Sequence, residues 1–293
     1  MVSPGSTTDH RPAPRADVTV VVASRNRRDD LLGSLPRHEA PVVLVDNAST
    51  DDTVAAVRDA HPEVTVLTLE RNVGARARTV GVDRAGTEFV AFADDDSWWA
   101  PGHLARAVAL LRAHPRCALV NARILVGPEE RLDPVSTEMA ESPVTSPVAL
   151  PGPAVLGFVA CAAIVRTAAF EEVGGFDPVV RFPGEEERVA LDLAAAGWGL
   201  AYVDELVVHH HPSPKRHSPD ERRAAIWRSR LLTAVMRLPL REVARLSARA
   251  LGDGRAGRAG LVHGLRDVPG AIRHRRVIPA WLQEQRRLLE QAS

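Results

Sequence analysis

The sequence predicts an α/β protein in which helices flank a mostly parallel sheet, with a basic helical extension at the C-terminal end. Three observations carry that expectation. Near-continuous β-branched runs, of the kind buried on both faces of a sheet, recur early in the chain and alternate with helical segments, the pattern of βαβ units. Each run ends in a polar cluster, and in open α/β sheets ligands sit beyond the carboxyl ends of the strands. The formal net charge of zero hides a division: residues 213–293 hold 18 Lys and Arg against 7 Asp and Glu, which leaves 19 against 30 for residues 1–212.

Residues 1–16 contain Pro, Ser, Thr and Arg without an apolar run, so they are expected to be disordered and to be no secretory signal. Residues 17–23 read as the first buried strand, followed by a polar break over 24–30 and a short helix around 31–38. A second strand over 41–45 runs into Asp46, Asn47, Ala48, Ser49, Thr50 and Asp51, and residues 53–60 read as a helix. The third strand, 64–69, ends at Glu70, Arg71, Asn72, Val73 and Gly74, with a helix over 75–85. The fourth, 88–93, delivers three aspartates, Asp94, Asp95 and Asp96. A helix over 101–114 and a strand over 118–126 follow.

Residues 127–153, rich in Pro, Ser, Thr and Glu, read as a mobile loop able to cover a substrate. Apolar residues resume over 154–166, and a short helix over 167–173 ends at Gly174 and Gly175. A helix over 185–196 is closed by Gly197, and a strand over 200–208 runs into His209, His210 and His211. Residues 220–238 and 240–251 read as basic amphipathic helices. Beyond them glycines, Pro269 and Pro279 leave no regular pattern. The chain therefore divides into an N-terminal segment 1–16, a body 17–212 and an extension 213–293.

With 293 residues, 45% hydrophobic and 25% charged, the composition suits a soluble globular protein holding one sizeable α/β domain and an appendage. Cys117 and Cys161 are the only cysteines, which excludes a disulfide framework or a cysteine-based zinc site and makes a reducing cytoplasm the expected setting. The longest apolar run, 154–165, is far short of the roughly 20 residues a spanning helix needs. A basic extension on an acidic body suggests an anionic partner such as a membrane surface or nucleic acid, the alternative being a solvated helical appendage.

Three consecutive carboxylates repel each other and suit neither a core strand nor a packed helix. At the carboxyl end of a strand, a divalent cation can neutralise them. An isolated Asp triplet is more often a solvated turn or a helix cap, but four polar clusters on one rim favour a site. On an extended segment Asp94 and Asp96 face the same way, which makes them the pair placed to hold Mg²⁺ or Mn²⁺ on a diphosphate. His210 could add an imidazole ligand, which would favour Mn²⁺ somewhat over Mg²⁺, with His209 and His211 open as alternatives. Glu185, Glu186 and Glu187 open a helix, either as ordinary dipole-favourable acids or as a general base held beside the metal site.

In order and spacing these clusters resemble the family 2 inverting glycosyltransferases over about residues 18–213. The resemblance rests on Ser24, Arg25 and Asn26; Asp46 to Asp51; Arg71 to Gly74; Asp94, Asp95 and Asp96 before Trp99 and Pro101; Gly174 to Asp177; and Gly184, Glu185 and Glu186 ahead of Gly197 and Trp198. It implies a GT-A fold with a Rossmann-like sheet, a nucleotide-diphosphate sugar donor and a glycan, lipid-linked or small-molecule acceptor. By position, Asp46 would hydrogen-bond the base, Ser24 and Asn26 would pack on it, and Arg78 would lie near the diphosphate. Asp94 would contact ribose or metal, Asp96 would coordinate the metal, and Asp95, Asn72 and Gly74 would complete the donor site. Glu186 falls on the base position, where Asp is more usual, and Arg188 replaces a common acidic residue, so Glu185 and Glu187 stay open as alternatives.

A lipid-linked or cell-envelope acceptor makes an anionic membrane, rather than nucleic acid, the expected partner of the extension. That would place the protein at the inner face of the membrane. The alternatives are a non-catalytic nucleotide-sugar-binding or scaffold protein and a nucleotidyltransferase on a related sheet. The latter usually carries a glycine-rich basic loop after its first strand, and residues 24–30 contain no glycine.

Overall fold

The structure, a computed structural model, describes residues 16–213 and 218–292. The N-terminal segment expected to be disordered lies outside the described residues except for Ala16. Strands β1 (Val18–Ser24), β2 (Val42–Asp46), β3 (Thr65–Thr68) and β4 (Phe89–Ala93) pair in parallel, linked by helices α1 (Arg28–Ser34), α2 (Thr53–Ala60) and α3 (Arg76–Ala85). Every residue of β2 and β4 is buried, as their unbroken apolar character requires.

The second half adds β5 (Ser97–Trp99), α4 (His103–Ala113), β6 (Cys117–Val126), β7 (Arg131–Leu132), α5 (Pro134–Ala140), β8 (Ala163–Arg166), α6 (Thr167–Glu172), α7 (Glu186–Ala195) and β9 (Gly199–His210). The sheet has nine strands in the order β3-β2-β1-β4-β8-β6-β9-β5, with β7 bonded to β6. β8 runs antiparallel to both β4 and β6, and β6 pairs in parallel with β9, so most strands point the same way. Alternation along β1 divides the core: Val21 joins Phe92, Phe170 and Phe176 on one face, while Val20 and Val22 join Leu44, Phe89 and Leu111 on the other. α3 lies so close to the sheet that a Cβ at Gly81 would come within 2.3 Å of Val21 Cγ1.

Residues 127–153 are not a free loop. They hold β7 and α5, bury Ser136, Met139 and Val144, and tie back to β6 where Ser136 Oγ accepts the Ile124 N–H at 3.0 Å. The extension forms α8 (Pro219–Arg237), α9 (Leu240–Gly252), α10 (Gly254–Leu265), α11 (Val268–Arg273) and α12 (Ala280–Ala292). The apolar residues of α8 are structural: Leu231, Leu232, Val235 and Met236 are buried in a cluster with Val180 and Ala271. Ala234, Leu238, Leu246, Ile278 and Leu282 belong to the same apolar layer as Phe92 and Val21. Among the described residues, no helix is long and apolar enough to cross a membrane.

Candidate active site

β4 ends at Ala93 and the chain reverses at once into β5. Ser97 closes this turn: its Oγ accepts the Asp94 N–H at 2.8 Å, and its own N–H donates to the Asp94 carbonyl at 3.3 Å. The three aspartates thus sit on a turn rather than on an extended segment, because Ser97 supplies the local partner that reverses the backbone. β5 then pairs antiparallel with β9, setting Ser97 opposite His210.

That register brings His210 Nε2 to 3.3 Å from Asp96 Oδ1, and one donor atom each from Asp94, Asp96 and His210 lie within 4.8 Å of one another. Two carboxylates and an imidazole at this spacing fit one Mn²⁺ or Mg²⁺ ion. Asp96 Oδ2 also accepts the Ser213 N–H at 3.0 Å. The other histidines are engaged elsewhere: His209 stacks on Trp98 and lies 3.0 Å from Glu130, and His211 meets the Trp98 ring edge-on. Asp95 turns away from the cluster to accept the Ser24 hydroxyl at 2.8 Å. Burial, and after it the charge of Asp94, raises its pKa to about 7.

Arg78 on α3, only 6% exposed, joins this turn to the helix of glutamates. Its Nη2 donates to Asp94 Oδ1 at 2.5 Å and its Nη1 to Glu185 Oε1 at 3.4 Å. Burial opposes its charge, but Asp94, Glu185 and Glu186 more than offset that and hold its pKa above the ordinary value. Glu185 is 1% exposed, and its Oε2 has no partner among the described residues. Burial, then repulsion from Glu186, pushes it up to about 8 against the pull of Arg78. Glu187 is ion-paired with Arg286 of α12 at 3.2 Å. Glu186 stays half-buried beside Arg78 and Asp94, its pKa raised mainly by burial.

A third cluster lies at the ends of β1 and β2. Asp46 is buried, with Oδ2 accepting the Ser49 N–H at 3.1 Å and Oδ1 without a partner among the described residues. Asn26, at φ 55°, receives the Thr50 N–H on Oδ1 at 2.8 Å and donates its own N–H to Ser49 Oγ at 2.9 Å. Asn47, for which the sequence reading gave no separate role, accepts the Val73 N–H at 2.8 Å and donates to the Gly74 carbonyl at 3.1 Å. Its place directly behind Asp46 in a strand-end cluster is the signal that was available. Asn72 is exposed and holds its own turn through the Gly74 N–H, 2.8 Å away. Among the described residues, no hydrogen bond joins Asn26 or Asn72 to the aspartate turn. Arg27, a further unforeseen residue, donates to Ser213 Oγ at 2.8 Å and so supports the segment that holds Asp96.

The chain is 31% identical over 213 residues to the pre-mycofactocin glycosyltransferase of Mycobacterium tuberculosis, a match covering 68% of this chain and 44% of that protein. The chain thus spans less than half the length of that relative. It is 27% identical over 210 residues to the N-acetylglucosaminyl-diphospho-decaprenol L-rhamnosyltransferase of the same organism, covering 60% of this chain and 67% of that one. The mannosyltransferase PcManGT from Pyrobaculum calidifontis, solved in complex with GDP-Man and Mn²⁺, shares the fold with a TM-score of 0.55 at 23% identity, covering 95% of this chain and 76% of that one. Residues 19–174, more than half of the sequence, match the profile of glycosyl transferase family 2, and the chain belongs to that family.

Proposed function

We propose that this chain is an inverting glycosyltransferase that moves a sugar from a nucleotide-diphosphate sugar to an acceptor hydroxyl, with Mg²⁺ or Mn²⁺ held by Asp94, Asp96 and His210. The observation that carries this reading is the convergence of those three donors beside a buried Arg78 and a half-buried Glu186. When bound, the ion supplies charge stabilisation to the departing diphosphate. Arg78, fixed between Asp94 and Glu185, adds a preorganised positive charge on the same side. Glu186 takes the proton of the acceptor hydroxyl, a role suited to a carboxylate whose proton affinity burial raises above the ordinary value. Attack opposite the leaving group inverts the anomeric centre.

The Oδ1 of Asp46, without a partner among the described residues, supports a base subsite at the end of β2, since a buried carboxylate oxygen calls for a donor and a nucleobase N–H provides one. Ser24, Asn26, Asn72, Gly74 and Asp95 shape the rest of the donor rim. GDP-Man and Mn²⁺ in PcManGT support a nucleotide-sugar donor and a metal. The relative named for N-acetylglucosaminyl-diphospho-decaprenol supports a lipid-linked, cell-envelope acceptor.

A thermal-shift panel of UDP-, GDP-, ADP- and dTDP-sugars, with and without Mn²⁺, tests the donor assignment. At about a hundredfold excess over Kd, the right donor adds roughly 2.7 kcal/mol to the native state and raises Tm by several degrees only with the metal present. A flat response across the panel overturns the assignment.

A further inference from the structure

α10 carries its faces the wrong way round for a helix of a water-soluble domain. Its glycines point inward: Gly257, Gly260 and Gly264 are buried, and a Cβ at Gly260 would stand 2.5 Å from the Ala224 carbonyl oxygen of α8. A Cβ at Gly264 would come within 2.9 Å of Leu231 Cδ2. The backbone of α10 therefore lies directly on α8, and its larger side chains are displaced outward. By helical periodicity the opposite face holds Arg255, Arg258, Val262, Leu265 and Arg266, with Val262 59% and Leu265 64% exposed. α11, which follows α10 in the chain, packs on α8 as well and presents Ile272, 57% exposed, and Arg273.

The charge on this face has one sign. Among the described residues no carboxylate is ion-paired with Arg255, Arg258, Arg266 or Arg273. The acids that bracket α10 turn inward instead, Asp253 onto Arg223 and Asp267 onto Arg228. We propose that the outer face of α10 and α11 docks on an anionic phospholipid bilayer. Val262, Leu265 and Ile272 enter the boundary between headgroups and acyl chains, and the surrounding arginines meet lipid phosphates. Three arginines of α8 are not docking residues, since Arg223, Arg228 and Arg237 are held by Asp253, Asp267 and Asp192. A second copy of the chain fits this face poorly, because a twofold contact would set its arginines against their own copies. Nucleic acid has no use for three outward aliphatic residues, and among the described residues of α10 and α11 there is no Phe, Tyr or Trp for base stacking.

Co-sedimentation of the full chain with phosphatidylglycerol and phosphatidylcholine vesicles tests the proposal. Binding to the anionic vesicles, weakened by salt and at least about tenfold weaker on the neutral ones, is expected. Replacing Val262, Leu265 and Ile272 together by Asp removes binding even at low salt. A Ser triple variant is the milder companion, and a thermal melt confirms folding of both. Each Arg→Gln change at Arg258, Arg266 or Arg273 reduces partitioning by about fivefold, the equivalent of about 1 kcal/mol per basic residue. Equal, negligible binding to both vesicle types overturns the proposal. So does anionic binding that a folded aliphatic variant retains and RNA competes away, or a dimer in sedimentation velocity that Leu265→Asp dissociates.

Discussion

Glu185 and Glu186 are adjacent in sequence but meet different surroundings, and Glu186 is proposed as the base on the strength of that difference. Glu185 is sealed against Arg78, whereas Glu186 stays partly exposed. Glu186→Gln is predicted to keep donor binding by calorimetry while turnover falls by about 10²–10⁴-fold, the usual contribution of a general base. Turnover that survives there but is lost in Glu185→Gln or Glu187→Gln would move the base to that neighbour. Glu185 also makes a stability prediction. Its folded pKa, about 8, lies above the ordinary 4.5, so the native state holds the proton more tightly and loses stability as pH rises between those values. The unfolding free energy of wild type minus that of Glu185→Gln, measured in chelator, should therefore fall by a few kcal/mol from about pH 5 to about pH 8. A pH-independent difference contradicts the assignment. Asp46, Asp94 and Asp96 were legible as candidates in the sequence because each is a polar side chain at the end of an apolar run, whereas nothing in the run before the histidines separates His210 from His209 and His211. Asn47 and Ser213 were not legible, since Asn47 bonds backbone groups and Ser213 uses its own N–H, each with a partner far along the chain, Ser213 reaching the Asp96 carboxylate across 117 positions.

The first four strands could be read from sequence because strands buried on both faces are continuously apolar and their boundaries fall where polarity begins. β5 could not: three residues after an acidic turn have no periodicity, and the edge of β9 is what makes them a strand. α5 lay hidden in a Pro- and Ser-rich stretch, although Asp133 caps it by accepting the Val135 N–H at 3.0 Å. α10 was unreadable for the opposite reason, because glycines that look like helix breakers are its packing surface. The close seat of α3 on the sheet yields a prediction at this scale. Gly81→Ala gains helix propensity of about 1 kcal/mol, yet its Cβ would overlap Val21, and overpacking of a rigid β-branched neighbour costs about 1–3 kcal/mol. Urea unfolding should show a net loss or no gain, together with weaker donor binding as Arg78 shifts with its helix; a clear stabilisation would show that the sheet yields.

At the scale of the whole molecule, the extension is fastened to the helix that begins with Glu186. Asp192 of α7 is held by Arg188 and by Arg237 of α8, and Arg286 of α12 reaches Glu187. Arg237→Ala is predicted to destabilise the fold by about 1.5–3 kcal/mol, the range for a hydrogen bond to a charged group, and to lower kcat, whereas the exposed Arg241→Ala leaves both unchanged. Equal effects of the two changes would mean the clamp is not transmitted to α7. The proposed transfer depends above all on the aspartate turn as a metal-held donor site. Its most direct test is nucleotide-sugar turnover by wild type and Asp96→Ala in Mn²⁺ and in chelator. The predicted result is metal-dependent turnover in wild type and loss of it in an Asp96→Ala protein that melts normally, since the change relieves repulsion in a crowded acidic turn while removing a ligand. Full turnover by a well-folded Asp96→Ala protein would contradict the account.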